Sequence, residues 1–153
     1  MELPAWRALS TAAQALYPWL RLEWHGAEYN NNGSIRLSVR QAADRLGVGR
    51  AAAARAFHDL QAKGWIVVVE PASLGVEGEA RAPAYELTEI ALPHAGNTGP
   101  RRLYRTWSTG NDFTVVRSPA NNPTGRNGKS RHRNRDGPVP KTMTKTSTLS
   151  SKR

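Results

Sequence analysis

SVRQAADRLGVGRAAAARAFHDLQAKGW, residues 38–65, decides the fold. Ser38 followed three residues later by Gln41 has the spacing of a capping box, in which each side chain satisfies a backbone N–H at the start of a helix. Val39, Ala42, Ala43 and Leu46 recur at the interval of one buried helical face, which predicts a helix of about two turns. Gly47-Val48-Gly49 breaks it. A second helix is predicted from Arg50 to Lys63, built on the strong helix formers Ala51 to Ala54 and closed by Gly64. Two helices that cross around so short a turn need a small residue in the first, a glycine in the turn and apolar residues between them. Ala43 and Gly47 meet the first two needs, and Leu46, Val48, Ala53 and Ala56 the third.

Working outward towards the N-terminus, Ser10 and Thr11 are candidate N-caps, and Thr11 with Gln14 has capping-box spacing. Ala13, Leu16, Tyr17, Leu20 and Trp24 follow on one helical face, so a helix is predicted to end near His25-Gly26. Pro18 lies inside it and predicts a kink or a restart, because an interior proline removes a backbone hydrogen bond. Gly26 to Gly33 reads as a turn-rich loop and Ser34 to Leu37 as a minimal strand. Towards the C-terminus, Trp65 to Val69 is a β-branched run of strand length, and Pro71 to Ala82 reads as a loop. Ala84-Tyr85-Glu86-Leu87-Thr88 alternates as a half-buried returning strand should. The chain shows no internal repeat.

The 153 residues carry a formal net charge of +10. The excess is not evenly spread. Residues 1–100 hold nine Lys and Arg against ten Asp and Glu, a net of −1, whereas residues 101–153 hold thirteen against Asp112 and Asp136, a net of +11. Function in the folded part therefore has to be read from pattern and not from overall charge. Three regions are expected: a domain over 5–92, a linker over 93–107 and a disordered basic tail over 108–153, whose composition buries too little apolar surface to offset the entropy of ordering. The residues at the start, Met1-Glu2-Leu3-Pro4, have neither the basic patch nor the apolar run of a signal peptide or membrane anchor. A cytoplasmic, nucleoid-associated protein with no membrane partner is the expectation.

The predicted order is helix, short strand, helix, turn, helix, strand, loop, strand. Through Ser38 to Arg50 and the following Ala53, Ala56, Leu60 and Lys63-Gly64-Trp65-Ile66-Val67, the chain resembles the bacterial winged helix-turn-helix superfamily, over residues 5–92. The resemblance implies an α+β fold, a three-helix bundle with a small antiparallel β-hairpin wing. It also implies sequence-specific binding of double-stranded DNA, in a transcriptional regulator or a replication-associated protein of a chromosome or mobile element. At about 100° per residue, Ala53, Ala56, Phe57 and Leu60 share the inner face of the second helix, while Ala51, Ala54, Arg55, His58 and Ala62 lie outside with Arg50 leading. Small alanines permit close approach to base edges and arginines pair with guanine or phosphate. The candidate DNA-binding residues are Arg36, Ser38, Arg40, Gly49, Arg50, Ala51, Ala54, Arg55 and His58; Arg36 and Arg40, with the N–H groups at their helix start, are assigned to phosphate. The wing is acidic through Glu70, Glu77 and Glu79 with only Arg81 opposing them, so phosphate repulsion argues against its insertion into a groove.

Other chemistries lack their residues. The chain has no cysteine, and His25, His58, His94 and His132 lack metal-ligand spacing, so no metal, no cofactor and no catalytic residue is expected. His58 and Asp59 are helix neighbours pointing to different faces, not a dyad. No small-molecule substrate is evident, and the chain is not expected to be an enzyme. Trp6, Tyr17, Trp19 and Trp24 are expected in the core or at a homodimer contact. An alternative reading is a winged-helix protein-protein interaction module with a non-specific nucleic-acid-binding tail. An RNA-associated protein anchored by its tail is a third.

Overall fold

The computed structural model describes residues 2–74 and 80–117. The fold is α+β: four helices and a three-stranded antiparallel sheet lie among these residues. The helices are α1 (Pro4–Arg7), α2 (Thr11–Leu22), α3 (Val39–Leu46) and α4 (Arg50–Ala62). The strands are β1 (Ile35–Arg36), β2 (Ile66–Glu70), β3 (Ser73–Leu74), β4 (Ala80–Arg81) and β5 (Ala84–Leu87). The sheet runs β1-β5-β2, with Ile35 opposite Tyr85 and Ile66 opposite Leu87, and β3 pairs with β4 as a separate ribbon. Leu16 and Leu20 of α2, Ile35 and Leu37, Leu60 of α4, and Ile66 and Leu87 meet in one core with exposures of 0–1%.

Three local expectations change. Ser10, not Thr11, caps α2: its hydroxyl accepts from Ala13 N–H, and Gln14 instead reaches back to the Trp6 carbonyl at 3.0 Å. The helix runs unbroken through Pro18 and stops at Leu22, three to four residues before His25-Gly26. Pro18 is exposed, so the Gln14 carbonyl that loses its partner lies on the side water can reach. A fourth helix, α1, precedes the bundle, with proline in its first turn, where the missing N–H has no intrahelical partner to lose.

The larger correction is at the other end. The expected linker over 93–107 is part of the core. Tyr104 and Trp107 are buried, and the Tyr104 ring stacks on Trp65 at 4.1 Å and 4°. Burying an aromatic side chain contributes roughly 3 kcal/mol, which offsets the backbone ordering of about two loop residues. The start of the expected tail is ordered too. Phe113 N–H bonds to the Ala62 carbonyl at 2.9 Å and Val116 N–H to Gln61 Oε1 at 2.9 Å, laying residues 113–117 along the end of α4. The rest of the expected tail, 118–153, lies outside the described residues.

This C-terminal segment explains a second discrepancy. β5 does not alternate: Ala84, Tyr85, Glu86 and Leu87 are all buried. Arg101 lies 3.3 Å from Glu86, and Arg102 N–H bonds to the Thr88 carbonyl at 2.7 Å, so the strand face expected to meet water is covered. Burial raises the Glu86 carboxyl above its ordinary range, with Arg101 opposing the shift. The 26–33 loop is also more than a connection. Asn32 is 2% exposed and holds the Leu87 N–H and the Leu87 and Ile90 carbonyls.

Candidate nucleic-acid interface

The α3–α4 unit forms as the residue spacing requires. Ser38 and Gln41 exchange both bonds of a capping box, and Gly47 ends α3 at φ +65, a left-handed conformation that glycine adopts without a Cβ penalty. Gly49 then opens α4 with extended backbone, φ −67 and ψ 151, and no side-chain cap. The α3 start is thus capped by a side chain, whereas the α4 start, at exposed Gly49, Arg50 and Ala51, is not.

The expected inner face of α4 is buried in full: Ala53, Ala56, Phe57 and Leu60 have exposures of 0–2%. On the outer side Arg50, Ala51 and Arg55 are exposed. Arg40 is exposed on the first turn of α3. Among the described residues Arg40, Arg50 and Arg55 have no carboxylate partner, so each guanidinium is available to an external anion. Ser38, half-buried, is occupied in capping.

Four residues sit differently from the expectation. Arg36 is engaged by the hairpin: it pairs with Glu70 and donates to the Ala82 carbonyl. Ala62, expected outside, is buried because the Phe113 backbone seats on its carbonyl. Ala54 and His58 are half-buried, since both line a cavity between α4 and the sheet. Lys63 is structural. Its ammonium lies 3.0 Å from Asp112 and 3.8 Å from Asp59, and 5.2 Å from the Trp107 ring. Hydrogen bonds from Trp107 and Lys63 hold the Asp112 carboxyl below its ordinary range.

Arg117 was not found from the sequence, because it falls in a stretch expected to be tail. It stands beside His58, and the two, with Arg55, line a groove that α4 shares with residues 112–117. Burial, and secondarily the Arg117 charge, lower the His58 pKa, so His58 is neutral at pH 7. The signal that could have placed Arg117 was the apolar run Phe113, Val115 and Val116 just before it. The Trp residues divide: Trp6 and Trp24 are half-buried, and Trp19 is 36% exposed with Arg45 at 5.4 Å over its ring.

No protein-family model, no curated protein and no solved structure matches the chain. Among the described residues no helix is long and apolar enough to cross a membrane.

Proposed function

We propose that the chain binds double-stranded DNA through a winged helix-turn-helix domain, with α4 as the helix that enters the major groove. One observation carries this reading: the Gly47 turn leaves Arg50 and Arg55 exposed and, among the described residues, without carboxylate partners on an α4 face that also presents Ala51, Ala54 and His58. Such a surface allows close approach of the backbone and bidentate pairing with guanine edges. Arg40 and the α3 N-terminus take phosphate, with Ser38 shaping that helix start. Arg117 adds a cation beside the same face. The nine Lys and Arg of residues 118–153 supply sequence-independent, salt-sensitive attraction. The role that follows is transcriptional control or replication initiation in a bacterial cell, with a homodimer formed through the exposed Trp19 and Leu22 of α2.

The charge of residues 1–117 supports this reading better than the −1 of residues 1–100. Through Arg117 the chain holds thirteen Lys and Arg against eleven Asp and Glu, a net of +2. A protein-docking role instead of a DNA-binding one is favoured by the −1 balance of residues 1–100, the acidic residues around the wing, and the exposed Trp19, Leu22 and Tyr29.

The test is a mobility shift on duplexes selected from a random pool, using the full chain with Arg50→Ala and Arg55→Ala. Each variant is expected to lose about 1–3 kcal/mol, roughly 5- to 150-fold in affinity, and to relax preference at one base position. Unchanged affinity and unchanged preference in both would refute the assigned face.

A further inference from the structure

The cavity behind α4 has the walls of a ligand site. Val39, Val68, Pro83 and Val116 give it an apolar lining, and the Phe57 and Tyr85 rings stack on each other at 5.1 Å and 9°. Its volume is 230 Å³. That exceeds the roughly 150 Å³ that holds a benzene molecule and falls short of the 300–1,000 Å³ of drug-sized sites, so the fitting body is a single ring or a short chain with one substituent.

Among the described residues the one charged group in the lining is the Arg117 cation, and His58 beside it is a neutral imidazole that can donate one N–H. Arg117 and His58 border the cavity, and among the described residues no Asp or Glu lines it. The nearest carboxylates in sequence are committed elsewhere: Glu70 pairs with Arg36, Glu86 with Arg101, and Asp59 accepts the Ser10 N–H at 2.6 Å. Gln61 is also spent, donating to the Phe57 carbonyl and accepting from Val116 N–H. Burial keeps the Tyr85 phenol protonated well above its ordinary range, so it adds no negative charge.

We propose that this cavity binds a small apolar monocarboxylate, its body against Val39, Val68 and Tyr85 and its carboxylate on Arg117 and His58. An apolar body supplies the burial and a charge-assisted hydrogen bond to arginine fixes the orientation. The site does not depend on the DNA reading. Its effect does: Ala54 and His58 belong to both surfaces, so a bound carboxylate sets negative charge at the face assigned to the major groove of a polyanion and weakens DNA binding, with reciprocal coupling.

Benzoate and its neutral isostere benzamide are the probes, titrated into the full chain without DNA and followed by NMR at Phe57, Tyr85 and Val116. Benzoate is expected to shift these signals saturably and to bind about tenfold tighter than benzamide, the factor expected of one charge-assisted hydrogen bond. Arg117→Gln should erase that preference, and Ala72→Leu, which fills the cavity, should erase binding of both. Equal binding of the two probes, or no saturable shift with benzoate up to its solubility limit, overturns the proposal with no variant needed. DNA affinity unchanged by saturating benzoate would overturn the coupling alone.

Discussion

Replacing Gly64 by alanine is expected to destabilise the protein far more than the same change at Gly47. Both glycines are left-handed, at φ +75 and φ +65. A Cβ in that conformation costs about 1–2 kcal/mol, a term the two sites share. Their surroundings differ. At Gly47 a Cβ meets nothing within 4 Å, whereas at Gly64 it would lie 2.7 Å from Phe113 Cε2, 2.9 Å from the Leu103 carbonyl carbon and 2.9 Å from Tyr104 N. The Phe113 ring can swing aside, but the two backbone atoms move only if residues 103–104 lift from the Trp65 ring. Overpacking of this kind adds about 1–3 kcal/mol, so Gly64→Ala is expected to lose roughly 2–5 kcal/mol in all and Gly47→Ala roughly 1–2 kcal/mol. Urea unfolding followed by tryptophan fluorescence reads the difference as a shift in midpoint at constant slope. Equal losses at the two positions would refute the packing of residues 103–113 against the end of α4.

Asn32→Ala should cost about 2–4 kcal/mol in the same assay, since it strands one N–H and two carbonyls around Leu87 and Ile90; a loss below about 1 kcal/mol would show that water replaces them. Arg40→Ala should reduce the dependence of log K on log salt by about one, while Arg36→Ala, already held by Glu70 and Ala82, should leave that slope unchanged. A salt titration in which the two variants behave alike contradicts the distinction. Because the folded His58 pKa lies below its ordinary 6.5, the unfolded chain takes up that proton first as pH falls, so stability declines through this range. His58→Gln should flatten that part of the stability curve between about pH 7.5 and 5, and an unaltered slope would count against the cause.

Segments with a strong local rule were legible in the residues. The Ser38–Gln41 box, the Gly47 turn, the inner face of α4 and the run from Ile66 each follow from one interaction type repeated at a fixed interval. What was missed depends on partners far along the chain. Tyr104 and Trp107 sit among Gly, Pro and Arg, a composition that reads as linker until Trp65, some forty residues earlier, offers a ring to stack on. Once that segment docks, β5 loses its wet face, Ala62 is covered and Arg117 arrives beside His58. Pro18 misled in the opposite sense: its local cost is real, but α2 is held by the burial of Leu16, Tyr17 and Leu20 around it. The exposed arginines of α3 and α4 were legible because exposure is what the inner apolar stripe leaves over. Arg36 was misplaced because its acidic neighbour Glu70 is distant in sequence.

The stacking of Tyr104 on Trp65 also has a meaning for biosynthesis. A chain emerging from the ribosome in order exposes the indole of Trp65 before the residue that covers it has been made. At about 5–20 residues per second, several seconds separate the two. During that interval the nascent helices carry an uncovered aromatic face, and maturation finishes only when the closing tyrosine leaves the exit tunnel.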